Sequence, residues 1–236
     1  MGENQGAERQ GALLVVIDGP AGAGKSTAAR RLADRLEAFY LDTGAMYRAC
    51  TLRAIQLGVD LSDGPALAAV VDQAQVELLP DGPQGRCRVL LEGEDVSEAI
   101  RTREVTNSIH HLANEPLVRE RLVAQQQALA EAWTGTIVAE GRDLGSVVFP
   151  QAQVKVYLDA TVSERARRRL QDLDPSSASA PSLEELEQEI AARDHRDMSR
   201  AIGPLTRVPD AHYLDSSKLS ADQVVDALAA LATAAG

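Results

Sequence analysis

Eight residues near the start of the chain, Gly19-Pro20-Ala21-Gly22-Ala23-Gly24-Lys25-Ser26, satisfy the pattern G-x-x-x-x-G-K-[ST], with Thr27 directly behind them. The residue types say what such a segment can do. Glycines let the main chain wrap closely round a polyphosphate with its N–H groups turned inward, and a helix starting at the end of the loop adds partial positive charge. Lys25 is then placed to reach the β- and γ-phosphates of a nucleoside triphosphate, and the Ser26 hydroxyl to ligate Mg2+. The lysine is informative in its own right. Of 24 basic residues, 21 are arginine and only Lys25, Lys155 and Lys218 are lysine. A slim ammonium enters a closed loop that a planar guanidinium would not. ATP accompanied by Mg2+ is the expected occupant.

Such a loop works only between a strand and a helix, and the flanking sequence supplies both. Leu13-Leu14-Val15-Val16-Ile17 is an apolar, β-branched-rich run closed by Asp18-Gly19-Pro20, which reads as a buried strand ending in a turn. From Lys25 to about Glu37 apolar residues recur at Ala28, Ala29, Leu32, Ala33 and Leu36, a helical period. Phe39–Asp42 reads as the next strand, and Thr43 as the cap of a helix running to about Leu57, where Gly58 stops it.

Between Gln75 and Gly93 the pattern changes. Period-two alternation on either side of Pro80-Asp81-Gly82-Pro83-Gln84-Gly85 predicts a hairpin inserted into the strand–helix plan. A helix is predicted over Pro116–Trp133, strands over Thr136–Ala139 and Val154–Leu158, and helices near Ser163–Gln171 and Leu183–Arg193. Asp172–Pro181 reads as a mobile loop. A last strand at His212-Tyr213-Leu214 and a Ser220-capped helix ending near Ala232 complete an α/β fold with a mostly parallel sheet.

The 236 residues are 44% apolar and 25% charged, which is the composition of a globular domain. No apolar run approaches the roughly 18 residues of a membrane span. Residues 1–11 are polar, with neither a basic start nor a small-residue cleavage pattern. They read as a flexible leader before a single domain over 12–233, and a cytoplasmic, monomeric protein without a membrane partner is expected. Cys50 and Cys87 stand in no metal-ligand spacing and the four histidines form no H-E-x-x-H, so no structural metal is expected. A net charge of −11 argues against a nucleic-acid partner. Even so, eight of the 21 arginines fall between Arg165 and Arg207, a basic island that suits a small anion.

A phosphate loop alone does not name a reaction. A GTPase would carry an N-K-x-D-type base reader, yet Lys155 and Lys218 lie in no such motif, and no L-S-G-G-Q-like segment of a transporter ATPase is present. The small kinases remain, and there a second substrate site must also be found.

Further segments resemble those of bacterial cytidylate kinases. They are Asp42-Thr43-Gly44-Ala45-Met46-Tyr47-Arg48, Leu91-Glu92-Gly93-Glu94-Asp95-Val96, Glu140-Gly141-Arg142-Asp143-Leu144-Gly145 and Val147-Val148-Phe149-Pro150. Arg193-Asp194-His195-Arg196-Asp197 with Arg200 and Pro204-Leu205, and Leu214-Asp215-Ser216-Ser217, belong to the same set. The resemblance runs in order from about Leu13 to Leu231. It implies an adenylate-kinase-like P-loop NTPase fold, with an inserted region binding the nucleoside monophosphate (about 43–115) and a mobile lid (about 170–197). The reaction it implies is transfer of the ATP γ-phosphoryl group to CMP or dCMP.

Chemistry and resemblance together suggest the residue roles. The acceptor is already an anionic phosphate oxygen, so the work is positioning and charge neutralisation rather than strong general-base catalysis. Arg48 and Arg142 follow strand–turn signals at the ligand-binding end of the sheet. By resemblance they hold the CMP α-phosphate, a task suited to bidentate guanidinium groups. Cytosine differs from uracil by its exocyclic amine, which asks for a hydrogen-bond acceptor. The resemblance nominates Asp143, with Arg119 donating to the base's carbonyl and ring-nitrogen edge and Thr43 lining the same pocket. His110, which stands where many relatives have a small hydroxyl residue, is included in that pocket.

Arg193, Arg196 and Arg200 recur at i, i+3 and i+7 and are expected on one helix face. By resemblance Arg193 and Asp197 approach the CMP ribose and Arg200 the phosphates, where arginines stabilise charge during transfer. Lys25, Arg142, Arg193 and Arg200 are therefore the expected catalytic set. Of Arg165, Arg167, Arg168 and Arg169, only Arg169 is retained as a nucleotide contact. Two other readings stay open at this point: a kinase for another small acceptor such as UMP, and a catalytically silent ATP-binding module.

Overall fold

A computed structural model describes residues 12–79, 87–172 and 181–236. The expected leader (1–11), the hairpin turn (80–85) and residues 173–180 of the expected loop lie outside the described residues.

The chain opens with β1 (Leu14–Asp18), the phosphate loop and α1 (Lys25–Arg35), followed by β2 (Phe39–Asp42) and α2 (Thr43–Gln56). All five residues of β1 are buried. A strand can be apolar on both faces only if both faces of its sheet are covered, and they are. Leu14 and Val16 pack with Leu41, Met46, Leu122 and Ile137 on one side, while Val15 and Ile17 pack with Ala29, Leu32, Val156 and Leu228 on the other. Helix α1 ends where expected, its last turn followed by Glu37 at a positive φ of 50°. One expectation is corrected: Asp42, not Thr43, caps α2, accepting from the Ala45 N–H at 3.0 Å. Thr43 is the first helical residue and donates to the Glu140 carbonyl at 2.6 Å, so its side chain serves the site rather than the cap.

Between residues 57 and 136 the chain builds an insert. α3 (Gly64–Gln73) is followed by the antiparallel strands β3 (Val76–Leu79), β4 (Arg88–Leu91) and β5 (Glu94–Asp95), then by α4 (Arg103–Asn114) and α5 (Pro116–Ala132). The hairpin register pairs Val76 with Leu91 and Leu78 with Val89, which puts Leu78, Val89 and Leu91 against the main core. Helices α3 and α4 were not anticipated.

The sheet resumes with β6 (Ile137–Gly141) and β7 (Val154–Asp159), followed by α6 (Val162–Gln171), α7 (Leu183–Met198), β8 (His212–Asp215) and α8 (Ala221–Ala235). The five-stranded sheet has the order β2-β6-β1-β7-β8 and every pair in it is parallel. β1 thus lies in the middle, and the carboxyl ends of β2, β6 and β1 stand side by side at Asp42, Glu140 and Asp18. Helix α7 runs five residues past its expected end. Leu186 and Ile190 bury against Ala166, and a capping box between Ser182 and Glu185 fixes its start.

Candidate active site

Seven of the eight α-helices described begin with a side-chain cap: Asp42, Asp63, Thr102, Glu115, Thr161, Ser182 and Ser220. Helix α1 begins instead at Gly24, in the left-handed region at φ 89°, with no side-chain cap. That conformation favours glycine, and the uncapped first-turn amides are the donors an anion would occupy. Gly22, Gly24, Ser26 and Thr27 are exposed, whereas Gly19 and Pro20 are buried beneath the loop. Lys25 is folded inward and donates to the Pro20 carbonyl at 2.8 Å. Burial, reinforced by the nearby Arg142, pushes its ammonium well below the ordinary lysine range. A cation desolvated in this way gains most when an anion arrives.

Two clefts open on either side of this loop. One, of about 970 Å³, is lined by Ala21 to Thr27. The other, of about 570 Å³, is lined by Thr43, Arg48, His110, Arg119, Arg142, Asp143, Arg193, Asp197 and Arg200, so all of the expected acceptor residues come together there. Both volumes fall in the range of small-molecule sites. Ser26, Arg48, Glu140, Arg142, Arg169 and Arg193 line both clefts, which therefore meet at the phosphate loop.

The floor of the second cleft is a buried ion pair between Arg119 of α5 and Asp143, just past β6. Burial raises the Asp143 carboxyl against the downward pull of Arg119, Arg200 and Arg142. Gly203 lies directly over this pair at φ 59°, and a Cβ there would collide with both the guanidinium and the carboxylate. Asp197 is also buried and accepts from Arg142 Nε at 3.1 Å and from Arg200. Arg48 is held by Thr106 Oγ1 at 2.8 Å and the Ile100 carbonyl at 3.1 Å.

Arg193 has a different neighbourhood. Burial, together with Arg142, Arg48 and Arg169, lowers it to about 10, with Asp197 opposing. Its charge also acts on Lys25. Cations crowded together without matching carboxylates make an anion site.

One placement differs from expectation. Arg200 falls two residues beyond the end of α7, so the three arginines do not share one helical face, although Arg193, Arg196 and Arg200 all line the second cleft. Arg193 lines both clefts, whereas Arg200 lines only the second, with Asp197, Arg119, Arg142 and Asp143 as its electrostatic neighbours.

The basic run of α6 is divided in its partners, and Arg167, Arg168 and Arg169 all line the phosphate-loop cleft, where only Arg169 was expected. Arg165 is buried and donates to the Ala160 and Ala21 carbonyls at 2.9 Å each, and it pairs with Asp194 at 2.6 Å. It therefore braces the phosphate loop from below. Arg168 donates to the Ser216 carbonyl at 2.7 Å, and Arg167 pairs on the surface with Glu164. Arg169 alone reaches both clefts.

Sequence reasoning missed Glu140, which is buried at the end of β6, bonded to the Tyr40 hydroxyl and shared by the two clefts. It also missed Arg101, which lines both clefts and lies 3.7 Å from Asp42. The signal for Glu140 was its place at the carboxyl end of a buried strand. Arg101 carried no local signal.

Among the described residues no group of three or more His, Cys, Asp or Glu could hold a metal by itself, and no helix is long and apolar enough to cross a membrane. An exposed Ser26 hydroxyl that lines both clefts together with the buried Glu140 carboxylate nevertheless fits Mg2+. That ion keeps several waters and takes most of its other ligands from substrate phosphates.

The comparisons with known proteins agree with this geometry. The family model described as cytidylate kinase matches residues 15–234. A cytidylate kinase of Geobacillus kaustophilus is 47% identical over 214 residues, covering 91% of this chain and 93% of its own length. One from Exiguobacterium sibiricum is 47% identical over 223 residues, covering 94% and 98%. Among solved structures, TT1252 from Thermus thermophilus superposes with a TM-score of 0.50 at 16% identity over 96% of this chain and 100% of that one, a likeness of fold alone. With its phosphate loop, its second cationic cleft and a family match over nearly its whole length, the chain belongs to the cytidylate kinase family.

Proposed function

We propose that the chain transfers the γ-phosphoryl group of Mg·ATP to CMP or dCMP, giving ADP and the pyrimidine diphosphate. One observation carries this reading: a phosphate loop and a carboxylate-floored cleft share a rim of arginines, so two nucleotides would meet with their phosphates at one place. Ala21 to Thr27 take the ATP phosphates, with Lys25 moving from the Pro20 carbonyl to the β- and γ-phosphates. Gly19 and Pro20 support the loop from beneath.

The Ser26 hydroxyl would hold Mg2+, which when bound would supply charge neutralisation at the ATP phosphates. Arg48 and Arg142 take the CMP phosphate. Arg193 and Arg169 border the transfer point and stabilise the charge that spreads over the equatorial oxygens. Asp143 accepts from the exocyclic amine of cytosine, Arg119 donates to the carbonyl edge, and Thr43 and His110 complete the pocket wall. Asp197 and Arg200 close the ribose side. A uracil would present a carbonyl to Asp143 in place of the amine, which sets two acceptors face to face in a buried site, and that is the discrimination polar sites perform best. The segment from about 170 to 197 acts as the lid, which closes on both substrates and excludes water.

A coupled ADP-release assay with Mg·ATP and CMP, dCMP, UMP, AMP, GMP and dTMP tests this reading. Fast turnover with CMP and dCMP alone is expected. Preference for another monophosphate would overturn the base assignment, and no turnover with any of the six would overturn the kinase reading.

A further inference from the structure

Asp18, the last residue of β1, spends its side chain far from its own neighbourhood in sequence. Its buried carboxylate accepts the Leu144 N–H through Oδ1 at 2.9 Å and the Gly145 N–H through Oδ2 at 2.8 Å. Those two amides open a short wide turn, Leu144–Val148, closed by bonds from Val148 N–H to the Asp143 carbonyl and from Phe149 N–H to the Leu144 carbonyl. Amides at the start of any helical turn need outside acceptors, and the residue in the cap position ordinarily supplies one with its own side chain. Here the cap position is held by Asp143, a residue type well suited to the task, yet its side chain makes no cap bond. It turns away into the cleft and pairs with Arg119.

We propose that Asp18 caps this turn in place of Asp143 and so releases Asp143 to read the base, which makes Asp18 a positioning residue for cytosine selectivity. The inference rests on the assignment of Asp143 as base reader. Its physical core is a competition. One set of amides could be satisfied by either of two carboxylates, and buried N–H groups do not go without a partner. With Asp18 in place, the capping demand is met from β1 and the Asp143 carboxylate is free for Arg119 and the base. With Asp18 removed, the same amides draw Asp143 back to its own turn, Arg119 loses its partner, and the acceptor for the exocyclic amine is gone.

The arrangement also ties the turn after Asp143 to the strand that leads into the phosphate loop, since the residue after Asp18 is Gly19, the first of that loop. Burial raises its carboxyl to about 6, against the two N–H bonds and Lys25 that lower it, with the Asp143 charge adding to the rise. A carboxylate is thus kept where burial disfavours it and where its two oxygens meet two donors.

The test is a double-mutant cycle read as kcat/KM for CMP over that for UMP, with KM for ATP measured in parallel on Asp18→Ala, Asp18→Asn, Asp143→Ala and the Asp18→Ala/Asp143→Ala double variant. Asp18→Ala is expected to cut the CMP-to-UMP ratio roughly tenfold or more while KM for ATP stays within about twofold. Asp18→Asn keeps one acceptor oxygen and is expected to restore part of the ratio. The double variant is expected to discriminate no worse than Asp143→Ala alone.

Losses that multiply in the double variant, or a KM for ATP that rises as much as that for CMP, would mean that Asp18 serves the phosphate loop and overturn the inference. A normal ratio in Asp18→Ala beside a collapsed one in Asp143→Ala would overturn it while leaving the base assignment intact. An unchanged ratio in Asp143→Ala would overturn both. Should Asp18→Ala fail to fold, Asp18→Asn decides alone, an unaltered ratio overturning the inference.

Discussion

Arg142, one residue past the end of β6, donates through Nε to the Asp197 carboxylate of α7 at 3.1 Å, although 55 positions separate them in the chain. The second oxygen of Asp197 accepts from Arg200. One buried carboxylate therefore sets the spacing of two guanidinium groups on the wall of the acceptor cleft and joins the sheet to the helix that follows the expected lid loop. Replacing Asp197 by alanine leaves two partly buried cations facing each other without a counter-charge. We expect KM for CMP to rise by roughly tenfold or more, from the loss of a charged hydrogen bond on each side. Asp197→Asn should fall between, because it still accepts from one guanidinium. Steady-state kinetics with CMP varied at saturating ATP checks this, and an unchanged KM in Asp197→Ala would remove Asp197 from the site.

Lys25 has little else to do in the free protein. Its ammonium touches the Pro20 carbonyl, is buried, and is pushed well below its usual range by burial and by Arg142. Lys25→Met keeps the length and apolar stem of the side chain and removes the charge. We expect kcat to fall by roughly 10² to 10³, the scale lost when one preorganised transition-state contact is deleted. Thermal stability should be equal or higher, since a desolvated cation has been taken out. Lys25→Arg should not restore activity, because the planar group does not fit the loop. Turnover and melting temperature measured on the same preparations separate these effects.

Gly203 shows how close the backbone comes to the Arg119–Asp143 pair. At φ 59° it favours glycine, and a Cβ would strike Arg119 and Asp143. Gly203→Ala must strain the backbone and displace a buried ion pair together, at a cost of about 1–3 kcal/mol in stability. Kinetically, KM for CMP should rise while KM for ATP holds, because Gly203 lies against the Arg119–Asp143 pair, which lines the second cleft and not the phosphate-loop one. A variant with wild-type KM for both nucleotides would show that the pair can move without consequence.

Most of the parallel framework was legible in the sequence because its signals are local. The run Leu14–Asp18 before the glycine loop, the period of α1 and the Ser220 cap each reflect the physics of a few adjacent residues. Helix α3 carried readable signals as well, Asp63 at the cap and Pro65 in the first turn, but its apolar residues run almost without interruption and hide the helical period. Sheet order had no such signal: nothing in β6 says that it lies between β1 and β2.

The site followed the same division. The phosphate loop was legible as a contiguous motif, and the acceptor residues were identified by resemblance. The pairings that give them meaning join Arg119 to Asp143, Arg142 to Asp197 and Asp18 to Leu144, and all three depend on long-range closure of the chain. The expectation that Arg193, Arg196 and Arg200 share one helix face failed for a related reason. Helical spacing fixes directions only while the helix continues, and α7 stops at Met198.

Asp42 makes a pH dependence that can be given a sign. It is raised to about 6, first by burial and then by the neighbouring Glu140 charge, with Arg101, the Ala45 N–H and Arg48 opposing. The folded value lies above the unfolded one of 3.8. The native state therefore holds this proton more tightly than the unfolded chain does. Between about 4 and 6 the contribution of Asp42 to stability grows as pH falls, and at neutral pH its ionised form is destabilising. Asp42→Asn removes that cost while keeping an oxygen for the Ala45 N–H. We expect the variant to be more stable than the parent at pH 7.5, with the advantage shrinking steadily toward pH 4.5. The measurement is urea denaturation of both proteins across that range. An advantage that does not vary with pH would show that Asp42 does not take up a proton there, and a loss at every pH would show that Arg101 and Arg48 hold it ionised to good effect.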